Sequence, residues 1–171
     1  LTTIINSVIL LIFNKNILSL MLITCIAYSL TIFLIALITQ NFTEGKYYGF
    51  LSTIIIFMIY PWPVSPWPNF TSFFFTTLFC YLYLSEKKKY SLLAGTSLAL
   101  AYLTFTTVYN IIIILFLLII LIFILIYRKK LMLDFIKKNI LVSFGFLIIF
   151  LPFILYLFYN DLFTVWASYQ K

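Results

Sequence analysis

Histidine is absent from this 171-residue chain, and only four residues are acidic: Glu44, Glu86, Asp134 and Asp161. With no imidazole and no two carboxylates on one helix face, there is no self-contained acid–base pair and no metal-ligand cluster. The four glycines are scattered, which excludes a glycine-rich loop that cradles phosphate. The two cysteines, Cys25 and Cys80, stand alone in apolar runs, so neither a disulfide framework nor a Cys-x-x-Cys motif is present. Both read as small buried apolar residues. Charged side chains make up 9% of the chain against 65% hydrophobic ones, and the mean hydropathy is +1.18. That leaves too little polar surface to cover a globule in water, so the chain requires a lipid solvent. It begins at Leu1 rather than Met and has no charged leader with a cleavage site, which predicts further sequence upstream.

What is present is a series of apolar runs divided by charges, and it predicts an all-α, polytopic transmembrane helix bundle of about six spans. Residues 1–171 form a single transmembrane domain, with spans at 17–39, 46–60, 70–84, 91–107, 108–127 and 140–159. The first of these, Ile17 to Thr39, has 23 residues without a charge; as a helix it is roughly 34 Å long, enough to cross. The 37 uncharged residues from Ser91 to Tyr127 would make one helix of roughly 56 Å, too long for a single crossing. They are expected to fold as a hairpin turning near Thr106 to Asn110, where Thr, Tyr and Asn interrupt the Leu/Ile pattern. Pro152 lies inside the last span as an expected kink. Before Asn14, the polar residues Thr2, Thr3, Asn6 and Ser7 lie opposite Ile4, Ile5, Val8 and Ile9, the pattern of an N-terminal interfacial amphipathic helix. The tail of another span reads equally well.

The basic residues orient this arrangement, because Lys and Arg in short loops stay on the cytoplasmic side. With the hairpin, Lys46, Lys87, Lys88, Lys89, Arg128, Lys129, Lys130, Lys137 and Lys138 share one side, and only Lys15 and Lys171 lie on the other. Both ends of the chain are then outside, in a multi-pass plasma-membrane topology. The formal net charge of +7 is accounted for by this topology and by anionic inner-leaflet lipid, so the lipid bilayer is the expected partner and nucleic acid is not.

On the outer side, Pro-Trp-Pro occurs twice within Pro61 to Asn69. The prolines stiffen a short loop and stop a helix. Trp62 and Trp67 suit either an aromatic belt at the headgroup level or the wall of a cavity for a sugar or an isoprenoid chain. Asn69-Phe70-Thr71 and Asn41-Phe42-Thr43 match the glycosylation acceptor pattern by chance, the first abutting the membrane and the second on the predicted inner side. Ser91, Gly95 and Ala99 recur every four residues and form a smooth face for close helix packing. Tyr102, Thr104, Thr106, Thr107, Tyr109 and Asn110 concentrate polar groups toward the hairpin turn, where they either line a cavity or satisfy backbone freed at the turn. Glu44, Glu86 and Asp134 fall beside basic residues, where local ion pairing is the ordinary role, and Asp161 alone faces outward.

The order of these features resembles the membrane domain of polyprenyl-phosphate-sugar-dependent glycosyltransferases of the C superfold, which include protein O-mannosyltransferases and aminoarabinose transferases of lipid A. The matching elements are the proline loop Pro61 to Asn69, the span Phe70 to Leu84 and the basic loop Glu86 to Lys89. They are followed by Leu93-Ala94-Gly95 and then Leu98-Ala99-Leu100-Ala101-Tyr102-Leu103-Thr104. The resemblance implies inverting transfer of a sugar from a polyprenyl-phosphate donor to an acceptor on the outer face, with a carboxylate base in an external loop upstream of Leu1. The catalytic residue is thus not identified in this chain. Phe105 stands where that family often has a basic residue, and Asn69 where it often has an acidic one. Trp62, Trp67, Asn69, Tyr109, Asn110 and Asp161 are the substrate-binding candidates. No cofactor or metal site follows from the residues; the resemblance leaves a divalent metal open in the full-length protein. Oligomeric state is not legible. The alternative is a non-enzymatic transporter or flippase segment, although no span carries the intramembrane charge that marks an ion path.

Overall fold

In a computed structural model, residues 17–43, 45–59, 68–85, 87–104, 118, 122 and 132–168 are described. Regular structure among them is entirely helical. The principal elements are α1 (Ile17–Thr43), α2 (Lys46–Ile59), α3 (Pro68–Leu84), α4 (Lys88–Thr104), α5 (Met132–Tyr159) and α6 (Phe163–Ser168). The amphipathic pattern at 1–13, most of the expected hairpin and the loop 60–67 lie outside the described residues.

The helix boundaries follow local chemistry. No Pro or Gly occurs in α1, and it runs four residues past the expected end. The hydroxyls of Thr39 and Thr43 donate to the carbonyls of Ile35 and Thr39, at 2.9 and 2.8 Å, so this polar stretch satisfies itself within the helix instead of opening a loop. Pro68 occupies the first position of α3, where its missing N–H has no intrahelical role. At its start α5 takes in Asp134 to Lys138, residues expected to form a loop, with Asp134 in the first turn where a carboxylate is favoured by the helix dipole. Pro152 lies inside α5, which continues for seven further residues to Tyr159.

Five helices lie side by side in the order α2, α1, α3, α4, α5, each packed on its neighbours in that series. Their directions follow from the contacts. Gly49, near the start of α2, sits against the Ala36 carbonyl and Gln40 near the end of α1, so these two are antiparallel. The ends of α1 and α3 meet at Ile38, Asn41, Phe42, Tyr81 and Leu84, so those two are parallel. The Ser72 hydroxyl donates to the Ala101 carbonyl at 3.2 Å, linking the start of α3 to the end of α4. Helix α5 runs parallel to α4: Lys138 near its start reaches Ser85, and Phe150 further along meets Tyr102 near the end of α4. Thr104 and Met132 therefore lie at opposite ends of the layer.

The tightest contact joins α4 and α5. A Cβ on Gly95 would strike the Val142 carbonyl oxygen and come within 2.7 Å of the Phe146 nitrogen and 2.9 Å of the Gly145 Cα. A Cβ on Gly145 would strike the Leu92 carbonyl oxygen. The two helix backbones thus touch with nothing between them, and Ala94, Ala99 and Ala101 are fully or almost fully buried on α4. The small-residue face expected from Ser91, Gly95 and Ala99 is the packing face; its partner glycine on α5 was not foreseen.

Burial runs opposite to that of a water-soluble fold. Much of what is buried is small or hydroxylated: Thr31, Ser72, Ser91, Ser97 and the three alanines of α4. Large apolar residues face outward, as in the stripe Leu18, Leu22, Ile26, Leu30 and Phe33 on α1 and in Phe144, Leu147, Ile148, Leu151 and Leu155 on α5. Two helices, Met21–Thr43 and Asp134–Tyr159, are long and apolar enough to cross a membrane, and only 28% and 17% of their most apolar windows are buried. The apolar segments of α2 and α3 are shorter.

Side chains at the Gly95–Gly145 crossing have nowhere to go, so Gly95→Val or Gly145→Val is expected to destabilise the detergent-solubilised protein by about 3 kcal/mol or more through overpacking. Gly45→Ala meets the Tyr48 ring, which can swing away, and the Thr43 carbonyl at an ordinary 3.6 Å, and should leave the thermal unfolding midpoint nearly unchanged. Scanning fluorimetry of the three variants checks both statements.

Candidate functional site

The far end of the layer, away from the lysines, gathers the helix termini Ile59, Pro68, Thr104 and Asn160. Two of the sequence-derived site candidates, Asn69 and Asp161, are described, and both lie at this end. Trp62, Trp67, Tyr109 and Asn110 lie outside the described residues. Asn69 is the second residue of α3, directly after the N-terminal proline.

Asp161 closes α5 through its backbone. Its backbone is left-handed, with φ of 55°. Its N–H donates to the Phe158 carbonyl at 3.2 Å, while the Leu162 N–H donates to the Leu157 carbonyl at 2.9 Å. These two bonds form the Schellman closure of a helix, in which the residue with positive φ satisfies the last carbonyls. Asp161 is exposed and ends α5. Asp is one of the few non-glycine residues that tolerate the conformation, so the Asp161 backbone caps α5 while its carboxylate stays exposed.

The polar groups expected near the end of α4 divide similarly. The Thr104 hydroxyl donates to its own helix, at 2.8 Å from the Ala101 carbonyl and 3.0 Å from that of Leu100. Ala101 also accepts from Ser72, a buried cross-helix bond that sequence pattern did not single out, since a lone serine in an apolar run carries no spacing signal. Of the two roles open to these groups, satisfying backbone describes Thr104. The Tyr102 ring meets Phe150 edge-on at 5.5 Å and Phe146 at 6.2 Å.

That ring begins an aromatic series along α5. Phe146 lies 5.0 Å from Phe150, Phe150 lies 6.5 Å from Phe153, and Phe153 meets Trp166 of α6 edge-on at 6.0 Å. Trp166 also packs on Phe163, which stacks on Phe158 at 4.4 Å. The turn at Asp161 folds α6 back so that its two aromatic rings reach α5. Trp166 was missed from sequence; the available signal was the Phe-x-x-Trp spacing one turn past Asn160-Asp161. The far end therefore presents an apolar, aromatic wall with a single exposed carboxylate.

At the opposite end the groups are polar. The Lys138 ammonium donates to the Ser85 carbonyl at 3.0 Å and sits 4.8 Å above the Tyr83 ring, while Asn139 donates to the Tyr83 hydroxyl at 3.3 Å. Lys138 thus closes the C-terminus of α3, where a cation is favoured by the helix dipole. Lys87 and Lys89 flank the Tyr90 ring at 5.8 and 5.3 Å. Among the described residues no three His, Cys, Asp or Glu side chains come together as a metal site requires. No protein-family model, characterised protein or solved structure matches the chain.

Since Asp161 serves backbone geometry, Asp161→Gly is expected to hold or raise stability, by about 1 kcal/mol at most. It should leave function intact, whereas a substrate-binding carboxylate would show a loss. Thermal unfolding together with the transfer measurement described below checks this.

Proposed function

We propose that this chain is the multi-span membrane part of a glycosyltransferase that moves a sugar from a polyprenyl-phosphate carrier to an acceptor on the outer face of the plasma membrane. The observation that carries the reading is the polarity of the layer. Lys46, Lys87, Lys88, Lys89, Lys137 and Lys138 attach at one end, and the segments bearing Trp62, Trp67, Tyr109 and Asn110 attach at the other. Local helix energetics disfavours Lys88 and Lys89 in the first turn of α4, where they oppose the dipole by about 0.3–1 kcal/mol each. Retention on the cytoplasmic side explains them better.

The outward-facing apolar stripes and the small, hydroxylated interior suit helices solvated by lipid. Because α4 and α5 run in parallel, Thr104 and Met132 lie at opposite ends of the layer, which supports the reading of a span at 108–127. A donor of this class has an isoprenoid tail that lies among apolar side chains and a sugar phosphate that stays at the membrane surface. The aromatic wall from Tyr102 to Trp166 suits the tail, and the Pro-Trp-Pro segment suits the sugar. The resemblance gives the catalytic carboxylate to an external loop outside this chain, and the one carboxylate at this end, Asp161, is exposed in the turn that closes α5.

Two measurements test the reading. In a background with Cys25→Ala and Cys80→Ala, a membrane-impermeant maleimide should label Ser65→Cys in intact cells and Ser85→Cys only after permeabilisation; the reverse pattern inverts the topology. With upstream sequence present and the protein in nanodiscs, radiolabelled sugar should transfer from one of a panel of polyprenyl-phosphate donors. Trp62→Ala and Asn69→Ala should each reduce that transfer at least tenfold while the protein stays folded. Absence of transfer from every donor would point to a transporter or flippase.

A further inference from the structure

Between the ends of α1 and α3, at the lysine end of the layer, lies a cleft of about 270 Å³. Ile38, Phe42, Tyr81 and Leu84 supply its apolar and aromatic walls, and Asn41 and Ser85 its polar rim. The Ser85 carbonyl on that rim is the one that holds the Lys138 ammonium at 3.0 Å. Lys46 begins α2 just beyond the end of α1, and the exposed Lys87 follows Ser85 by two residues. By sequence, the side of the membrane proposed for this end carries nine basic residues (Lys46, Lys87, Lys88, Lys89, Arg128, Lys129, Lys130, Lys137, Lys138) against three carboxylates (Glu44, Glu86, Asp134), a balance of +6.

The geometry points to an anionic phospholipid of the inner leaflet as the occupant of this cleft, with its phosphate at the Asn41–Ser85 rim and its glycerol and upper acyl carbons against Ile38, Phe42, Tyr81 and Leu84. The size suits a headgroup and its glycerol rather than a whole lipid. The acyl chains would continue over the exposed apolar face of α1, where Phe33 and Leu30 lie open. Lysines near an anionic leaflet attract it over about a Debye length, so surface charge alone favours anionic lipid. The cleft adds a place where one molecule is held, because a polar rim next to cations stands directly over apolar walls. Such a lipid would tie α1 to α3, the contact that joins the α1–α2 pair to the rest of the layer. The inference rests on the bilayer part of the proposed function and is independent of sugar transfer.

The test compares thermal unfolding of the detergent-solubilised protein after addition of phosphatidylglycerol or phosphatidylcholine, with bound lipid counted by native mass spectrometry. The wild-type chain should retain one phosphatidylglycerol and gain several degrees over the phosphatidylcholine sample. Asn41→Trp, which fills the cleft without changing charge, and Lys46→Gln/Lys87→Gln should each abolish that difference while keeping the midpoint measured in phosphatidylcholine. Equal stabilisation by both lipids overturns the proposal. So does a phosphatidylglycerol preference that survives Asn41→Trp but is lost in Lys88→Gln/Lys89→Gln, since that outcome assigns the preference to diffuse surface charge. Recovery of the chain in the carbonate-extracted membrane pellet separates failure of the lipid site from failure of the bilayer reading.

Discussion

The backbone contact between Gly95 and Gly145 is the constraint on which the arrangement of α4 and α5 depends. Helices in lipid gain little from hiding apolar side chains from each other, because the acyl chains around them are equally apolar; they associate where backbones approach closely and dispersion contacts accumulate. Two glycines facing each other, with Ala94, Ala99 and Ala101 buried along the same helix, give that approach. Once α4 and α5 are held side by side and parallel, Phe146 and Phe150 come under Tyr102, and Lys138 comes within reach of the α3 terminus. A shorter-range version joins α1 to α2, where Gly49 lies 2.9 Å, measured from an added Cβ, from the Ala36 carbonyl.

Polar groups in this interior are handled mainly by the helices themselves. Thr31, Thr77, Ser97 and Thr104 donate back to carbonyls three or four residues earlier. This satisfies the hydroxyls without spending a partner helix on them and leaves the contact faces small. Ser72 is an exception that crosses to the next helix, joining α3 and α4 near the far end. Further cross-helix polar bonds lie at the lysine end, where Tyr83, Ser85, Lys138 and Asn139 interlock. One end of the layer is thus fastened by hydrogen bonds and the other by aromatic contacts. That asymmetry sets a polar, lysine-bearing end against an aromatic one.

The candidate site was only partly legible in the sequence. Asp161 stood out because acidic residues are so few, yet rarity does not report backbone conformation, and its φ of 55° follows from the need to close α5. Trp62 and Trp67 attracted attention through a repeated dipeptide pattern, whereas Trp166 lacked one and became visible only when the turn at Asp161 returned α6 to α5. Small-residue spacing revealed Gly95 as a packing position. Gly145, isolated among large apolar residues, had no spacing to mark it, and only the crossing itself pairs the two.

By itself the sequence determined that the chain is helical, that the large apolar residues would find no aqueous interior to fill, and where the apolar runs break. These are consequences of composition and of the charge pattern, which act residue by residue and need no partner. Tertiary structure alone decided which helices lie next to each other, that α4 and α5 run in parallel, that Asp134 to Lys138 join a helix, and that Asp161 serves as a cap. Each of these depends on contacts between residues distant in the chain or on the backbone angle at one turn, and neither quantity is encoded in the local periodicity of side chains.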